Sequence, residues 1–259
     1  MLLELSEASK IYQQRTGRKQ NDIVALENLN LAIAEKPATI TAIAGESGSG
    51  KTTLANLVLG FIKPTSGRII YQGQDLETAS TKQIKDYRRQ VQAIFQDPFG
   101  VYNPFYRIQH VFNLVIKNFE LGNGKEHASD LVESALNMVG LQGQDILRKY
   151  PHQLSGGQRQ RTALGRALLV NSPIVVLDDA LASVDNKTAS KIINQMREQS
   201  NKTILMISHQ LSVAATCDRV LVMDKGKIVQ EGNHKDLVKE NGLYKKLWER
   251  ELATNIVKS

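Results

Sequence analysis

The clearest chemistry in this sequence lies in nine consecutive residues, Gly45-Glu46-Ser47-Gly48-Ser49-Gly50-Lys51-Thr52-Thr53, which match the phosphate-cradling pattern G-x-x-x-x-G-K-[ST] without a gap. Glycines at 45, 48 and 50 let the backbone turn its N–H groups inward as an anion nest. A helix starting there would aim the positive end of its dipole at the same point. Lys51 has the reach for β- and γ-phosphates, and Thr52 offers a hydroxyl to Mg²⁺. The bland alternative is a glycine-rich turn with a chance lysine. Against it stand the short β-branched run 38–44 before the motif and the helically spaced apolar residues 54–59 after it.

A second chemical group lies at 174–179, where Ile174-Val175-Val176-Leu177 runs into Asp178 and Asp179. Two carboxylates at the mouth of a buried strand suit a phosphate-loop protein, Asp178 holding the metal and Asp179 polarising an attacking water. Taken alone, the pair could cap the next turn. A third stretch is Leu154-Ser155-Gly156-Gly157-Gln158, in which Ser155 is a natural N-cap and two glycines open a helix, giving a second anion-binding terminus. Tyr12, a lone aromatic in a strand-like run, fits either adenine stacking or ordinary packing.

Leu154 to Gln158 resembles the signature of the ATP-binding subunits of ABC transporters, and other landmarks of that family follow in order along nearly the whole chain. Gln96 is similar to the Q-loop glutamine that senses Mg²⁺ and the γ-phosphate. Ser183-Val184-Asp185 resembles the D-loop, which places Asp185 at a dimer interface, and His209 resembles the switch histidine on the γ-phosphate. The resemblance implies ATP and Mg²⁺ as cofactors, with Thr52, Gln96 and Asp178 on the metal and Asp179, Gln96 and His209 in catalysis. It implies that Ser155, Gly156, Gly157 and Gln158 bind the nucleotide held by a partner's phosphate loop, so that two subunits, identical or not, close on two ATP molecules. It also implies an integral-membrane permease docking at residues 96–107, and a cytoplasmic protein peripheral on the inner face of the membrane.

Two departures stand out. Most of the family has glutamate, then Pro or Ala and Thr, after the metal-binding aspartate, whereas this chain has Asp179, Ala180 and Leu181. The shorter carboxylate leads us to expect slow hydrolysis or dependence on a partner. In addition, Phe95-Gln96-Asp97-Pro98 and the segment 150–158 resemble the peptide and nickel importer ATPases, while the segment from about Asp178 onward resembles exporter ATPase domains, a mosaic compatible with a chimera.

The elements that must position these residues are legible as pattern. Strand-like runs occur at 2–5, 10–12 and 23–33, with a polar loop expected over 13–22, and a hairpin is expected at 68–74. Further strands are expected at 91–95, 174–178, 203–207, 220–223 and 227–230, with helices at 111–119, 128–139 and 187–198 and two amphipathic helices at the end. The expected fold is α/β, a P-loop NTPase core of RecA type with an antiparallel β side sheet and an inserted helical subdomain. Its parts would be a core lobe at 1–96 and 171–232, a helical subdomain at 97–170 and C-terminal helices at 233–259.

Composition narrows the partners. The 259 residues, 41% hydrophobic, can bury a large core, and no apolar run approaches the roughly 18 to 20 residues that span a bilayer. One cysteine, Cys217, precludes an internal disulfide framework, and the five scattered histidines predict no zinc site. A net charge of +7 without a basic block, and only 5% aromatics, argue against nucleic acid. The expectation is an ATPase subunit powering a permease for peptides or a similar small solute. The alternatives are a recombined stand-alone domain with weak ATPase activity and a soluble ABC ATPase outside transport.

Overall fold

The computed structural model describes residues 1–16, 19–95, 102–122, 124–181, 184–199, 202–208 and 210–258. Two sheets carry the fold. The first is antiparallel, in the order β2-β1-β4-β5, built from β1 (Leu3–Thr16), β2 (Lys19–Ile33), β4 (Ser66–Tyr71) and β5 (Gln74–Asp75). The second has six strands in the order β10-β9-β3-β8-β7-β6. It comprises β3 (Ile40–Gly45), β6 (Val91–Ile94), β7 (Ile174–Asp178), β8 (Thr203–Ile207), β9 (Arg219–Asp224) and β10 (Lys227–Gly232). All its pairs are parallel except β9 with β10.

The apolar runs at 40–44, 174–177 and 203–207 lack polar alternation because both faces of these strands are covered. Successive residues serve two different cores: Ile43, Val176, Leu205 and Ile207 pack toward the antiparallel sheet, and Ala42, Val175, Leu177 and Met206 toward the helices on the far side. Helix α1 (Lys51–Val58) lies in the first core, where Leu54, Leu57 and Val58 meet Leu3, Leu5 and Leu26. The second core takes Phe112 of α3 (Gln109–Phe119), Leu136 of α4 (Lys125–Met138), Ile146 of the short α5 (Gly143–Ile146) and Leu164 of α6 (Gly156–Leu168). It also takes Ile192 of α7 (Asn186–Gln199), Val213 of α8 (Leu211–Ala214), Leu237 of α9 (His234–Leu237) and Tyr244 of α10 (Leu243–Lys258).

Two expectations are corrected. The polar residues 13–16 and 19–22 are not loop but strand: β1 and β2 continue their ladder there, with Gln13 opposite Asp22 and Thr16 opposite Lys19. Polar side chains can occupy both faces of such a strand pair where it projects into water, so the apolar alternation disappears although the ladder continues. The second correction is a helix that the periodicity missed, α2 (Thr81–Gln90), which buries only Tyr87. Its signal was a capping box instead: Ser80 accepts from the Gln83 N–H, and the Gln83 side chain accepts from the Ser80 N–H. The Tyr87 hydroxyl donates to the Val58 carbonyl, tying α2 to the end of α1.

Candidate nucleotide site

The register of the parallel strands brings two of the chemical groups together. Ile43 pairs with Ile207, and Ile207 with Asp178, so the ends of β3 and β7 stand level on either side of β8, about 10 Å apart at ordinary strand spacing. The Asp179 N–H donates to the Ile207 carbonyl at 3.0 Å, which fixes the second carboxylate over the same edge. Asp179 has φ +47° and is 8% exposed. Its short side chain tolerates a left-handed backbone better than most residues do.

Between β3 and α1 the loop turns on glycines. Gly45 (φ +151°), Gly48 (φ +80°) and Gly50 (φ +105°) adopt conformations L-residues rarely take. At Gly45 a Cβ would strike the Met223 carbonyl, and at Gly50 it would lie 2.5 Å from the Ala25 carbonyl oxygen. At Gly48 it would meet nothing within 4 Å, so that stretch of the loop is open to an incoming group. The loop is stapled from behind, with the Gly226 N–H donating to the Ser49 carbonyl at 2.9 Å and the Glu27 N–H to the Gly226 carbonyl at 3.1 Å. These supports, Ala25, Glu27 and Gly226, carry no motif and were not foreseen from the sequence; the only trace was the Lys225-Gly226 turn.

Lys51 is 5% exposed, and its ammonium donates to the carbonyls of Gly45 (2.8 Å) and Glu46 (2.7 Å). Burial pulls its pKa below the usual lysine range, opposed by the charges of Asp179 and then Asp178. One buried cation facing two carboxylates across an open glycine loop is a site for a polyanion with a divalent metal. Thr52, the neighbour of Lys51 in the first turn of α1, is exposed.

Other expected residues stand elsewhere. Ser155 caps α6, accepting from the Gln158 N–H at 3.2 Å while Gln158 Oε1 accepts from the Ser155 N–H at 3.0 Å. The two side chains thus stiffen the helix start, and Ser155 and Gly156 face solvent. Gln160, one turn on, is buried and donates to the Asp179 carbonyl at 3.3 Å, linking α6 to the carboxylate edge. The Asp185 carboxylate accepts from the Thr188 N–H at 2.9 Å and caps α7; that bond holds its pKa below the usual range. Tyr12 is exposed on β1 with the Lys10 ammonium 5.4 Å from its ring centroid. Gln96, Ser183 and His209 lie outside the described residues.

A family model described as "ABC transporter" matches residues 26–182, more than half of the chain and inclusive of the glycine loop, the capped α6 and both carboxylates. The chain belongs to the ABC transporter family. Among relatives of this ABC protein is the oligopeptide transport ATP-binding protein AppF of Bacillus subtilis (strain 168), 34% identical over 242 residues, or 90% of this chain and 72% of the relative. Another is the oligopeptide transport ATP-binding protein OppF of Lactococcus lactis subsp. lactis (strain IL1403), 32% identical over 92% of this chain and 76% of the relative. Among solved structures, a dimeric ATP-binding cassette in a post-hydrolysis state bound to ADP and Pi is 28% identical, with a TM-score of 0.77 over 90% of this chain and 98% of its own. A bacterial Atm1-family ABC exporter with ATP bound is 26% identical, with a TM-score of 0.79 over 96% of this chain and 42% of its own. The chain therefore has the ABC ATPase fold and is the ATP-binding component of a transport system.

Proposed function

We propose that this chain hydrolyses ATP as one of two subunits closing on two nucleotides, and that it drives a separate membrane permease for uptake of peptides or a similar small solute. The observation that carries the catalytic part is the placement of Lys51 and the carboxylates of Asp178 and Asp179 at one edge of the parallel sheet beside the open Gly48 turn. The loop amides and Lys51 would hold the β- and γ-phosphates, and Thr52, Asp178 and Gln96 are the residues suited to Mg²⁺, which supplies charge neutralisation at the transferring phosphoryl group. Asp179 accepts the proton of the attacking water, its backbone fixed by Ile207 and Gln160. Tyr12 is the adenine platform, Asp185 lies at the subunit interface, and His209 contacts the γ-phosphate. Ser155 to Gln158 present a pre-stiffened helix start to the partner's nucleotide, which leaves each monomer with half of every site.

Two observations support a permease and a peptide cargo. Phe61 (52% exposed) and Phe95 stack in the open with ring centroids 6.0 Å apart, and Phe105 is 84% exposed on the segment leading to α3. Exposed aromatics of this kind mark protein docking surfaces. The relatives AppF and OppF are named for oligopeptide transport. Among the described residues no helix is long and apolar enough to cross a membrane. Driving a permease would place the chain in the cytoplasm, peripheral on the inner face of the membrane, as for an ATP-binding subunit of this family.

The test is uptake of a labelled oligopeptide by cells deleted for this chain. Uptake should fall and return with the native chain but not with Lys51→Ala, and F105D should leave the chain in the soluble fraction. Uptake unchanged by the deletion, with no polytopic protein cross-linked to the chain, would contradict the reading and favour a stand-alone domain.

A further inference from the structure

The last described helix is not simply packed on the back of the core. Its N-terminal part is an anchor: Tyr244 is fully buried, its N–H donates to Gln230 Oε1 at 3.0 Å, and its hydroxyl meets His234 Nδ1 at 2.9 Å. Trp248 closes over the same histidine, ring centroids 4.6 Å apart. With those turns fixed, Arg250 and Glu251 are aimed at functional segments. Arg250 Nη1 lies 2.9 Å from Glu46 Oε1, and Glu46 is the second residue of the phosphate loop. Glu251 takes the N–H groups of Leu211 (2.6 Å) and Ser212 (2.9 Å) on its two carboxylate oxygens, capping the start of α8 from forty positions away. Adjacent helix residues point about 100° apart, which suits contact with the segments that leave two neighbouring strands, β3 and β8.

Each contact answers a physical problem. A carboxylate within an anion-binding loop repels the triphosphate it is built to hold, and Arg250, paired with it at the exposed rim of the loop, offsets part of that charge. The segment after β8 leaves the sheet beside Asp179, and a single four-residue helix cannot hold it rigidly by its own hydrogen bonds. A carboxylate accepting two backbone N–H groups is a strong, charge-assisted restraint. We propose that α10 is a strap across the nucleotide site, in which Arg250 sets ATP affinity through Glu46 and Glu251 sets turnover by holding the segment that starts α8. The inference rests on the ATPase reading above; both side chains are positioning residues and touch no reacting atom.

The test is a double-mutant cycle on the full chain with ATP as probe, binding and steady-state turnover measured together. Arg250→Ala should weaken ATP binding about three- to tenfold with native Glu46, and less than about twofold in the Glu46→Gln background. Glu251→Ala should lower kcat by about tenfold or more while ATP affinity stays within about twofold, and Glu251→Gln, which keeps one acceptor oxygen, should recover part of the loss. Should Glu251→Ala fail to fold by thermal melting, Glu251→Gln alone decides, since its kcat must then fall below that of the native chain. An equal affinity loss for Arg250→Ala in both backgrounds, or native kcat in the Glu251 variants, overturns the strap while leaving the ATPase intact. A native chain that binds no ATP overturns the ATPase reading and the strap with it.

Discussion

At Asp179 the chain places a carboxylate one methylene shorter than a glutamate would offer, on a residue whose backbone is held by Ile207 and Gln160. Because its N–H and its carbonyl are both held, the backbone cannot shift forward to recover the missing reach. Asp179→Glu is therefore expected to raise kcat, by up to about 10²-fold if reach is the limiting feature, with ATP affinity unchanged. Single-turnover hydrolysis measures this, and an unaltered rate would show that the aspartate already reaches its water. A second residue-scale prediction concerns Lys202, which is buried and donates to the Leu168 and Val170 carbonyls at 2.9 and 2.6 Å at the end of α6. Burial lowers its pKa to about 8. The unfolded chain keeps this proton up to the usual lysine range and the folded chain releases it near 8, so the contribution of Lys202 to stability rises with pH between about 8 and 10.5. Measured by urea unfolding, stability of the native chain should gain up to about 3 kcal/mol relative to Lys202→Met across that interval. Parallel pH profiles for the two proteins would refute the assignment.

At the level of elements, the phosphate loop depends on its neighbours as much as on its own glycines. Gly226 has φ +79°, and a Cβ there would lie 2.8 Å from the Ala25 carbonyl oxygen and 3.0 Å from the Leu26 Cα. Gly226→Ala should thus cost about 2 kcal/mol and weaken ATP binding by displacing the Ser49 contact, as read by thermal unfolding and nucleotide titration on the same sample. The sequence announced this loop because a strand, three glycines, a lysine and a helix must occur together to hold phosphate. It also announced β3, β7 and β8, whose double-sided burial leaves unbroken apolar runs. It was silent on the β1–β2 ladder over 13–14 and 21–22, whose side chains are exposed, and on α2, which buries only Tyr87, because period carries no information there. It was equally silent on Arg250 and Glu251, whose partners lie 204 and about 40 positions away and are set only by the course of the folded chain.

For the whole molecule, the two chemical surfaces differ in how far they are open to solvent. Lys51 and Asp179 are buried and Asp178 half-buried, whereas Ser155 and Gly156 are exposed with their helix start already capped. A monomer with half of each site outward-facing should be nearly inactive, and Ser155→Ala, which costs the cap about 1 kcal/mol, should impair turnover only through the subunit that does not hold the nucleotide. In a mixture of Ser155→Ala and Lys51→Ala chains, one composite site pairs a native phosphate loop with a native signature, so mixing should recover activity that neither variant has alone.

The central claim is that Asp179 works in a site completed by a second copy or a close relative of this chain. The direct measurement is ATP turnover of the purified chain against its own concentration, with Asp179→Asn alongside. Turnover that rises more steeply than protein concentration and disappears in Asp179→Asn, while that variant still binds ATP, is the predicted result. Turnover strictly proportional to concentration, or undiminished in Asp179→Asn, would contradict it.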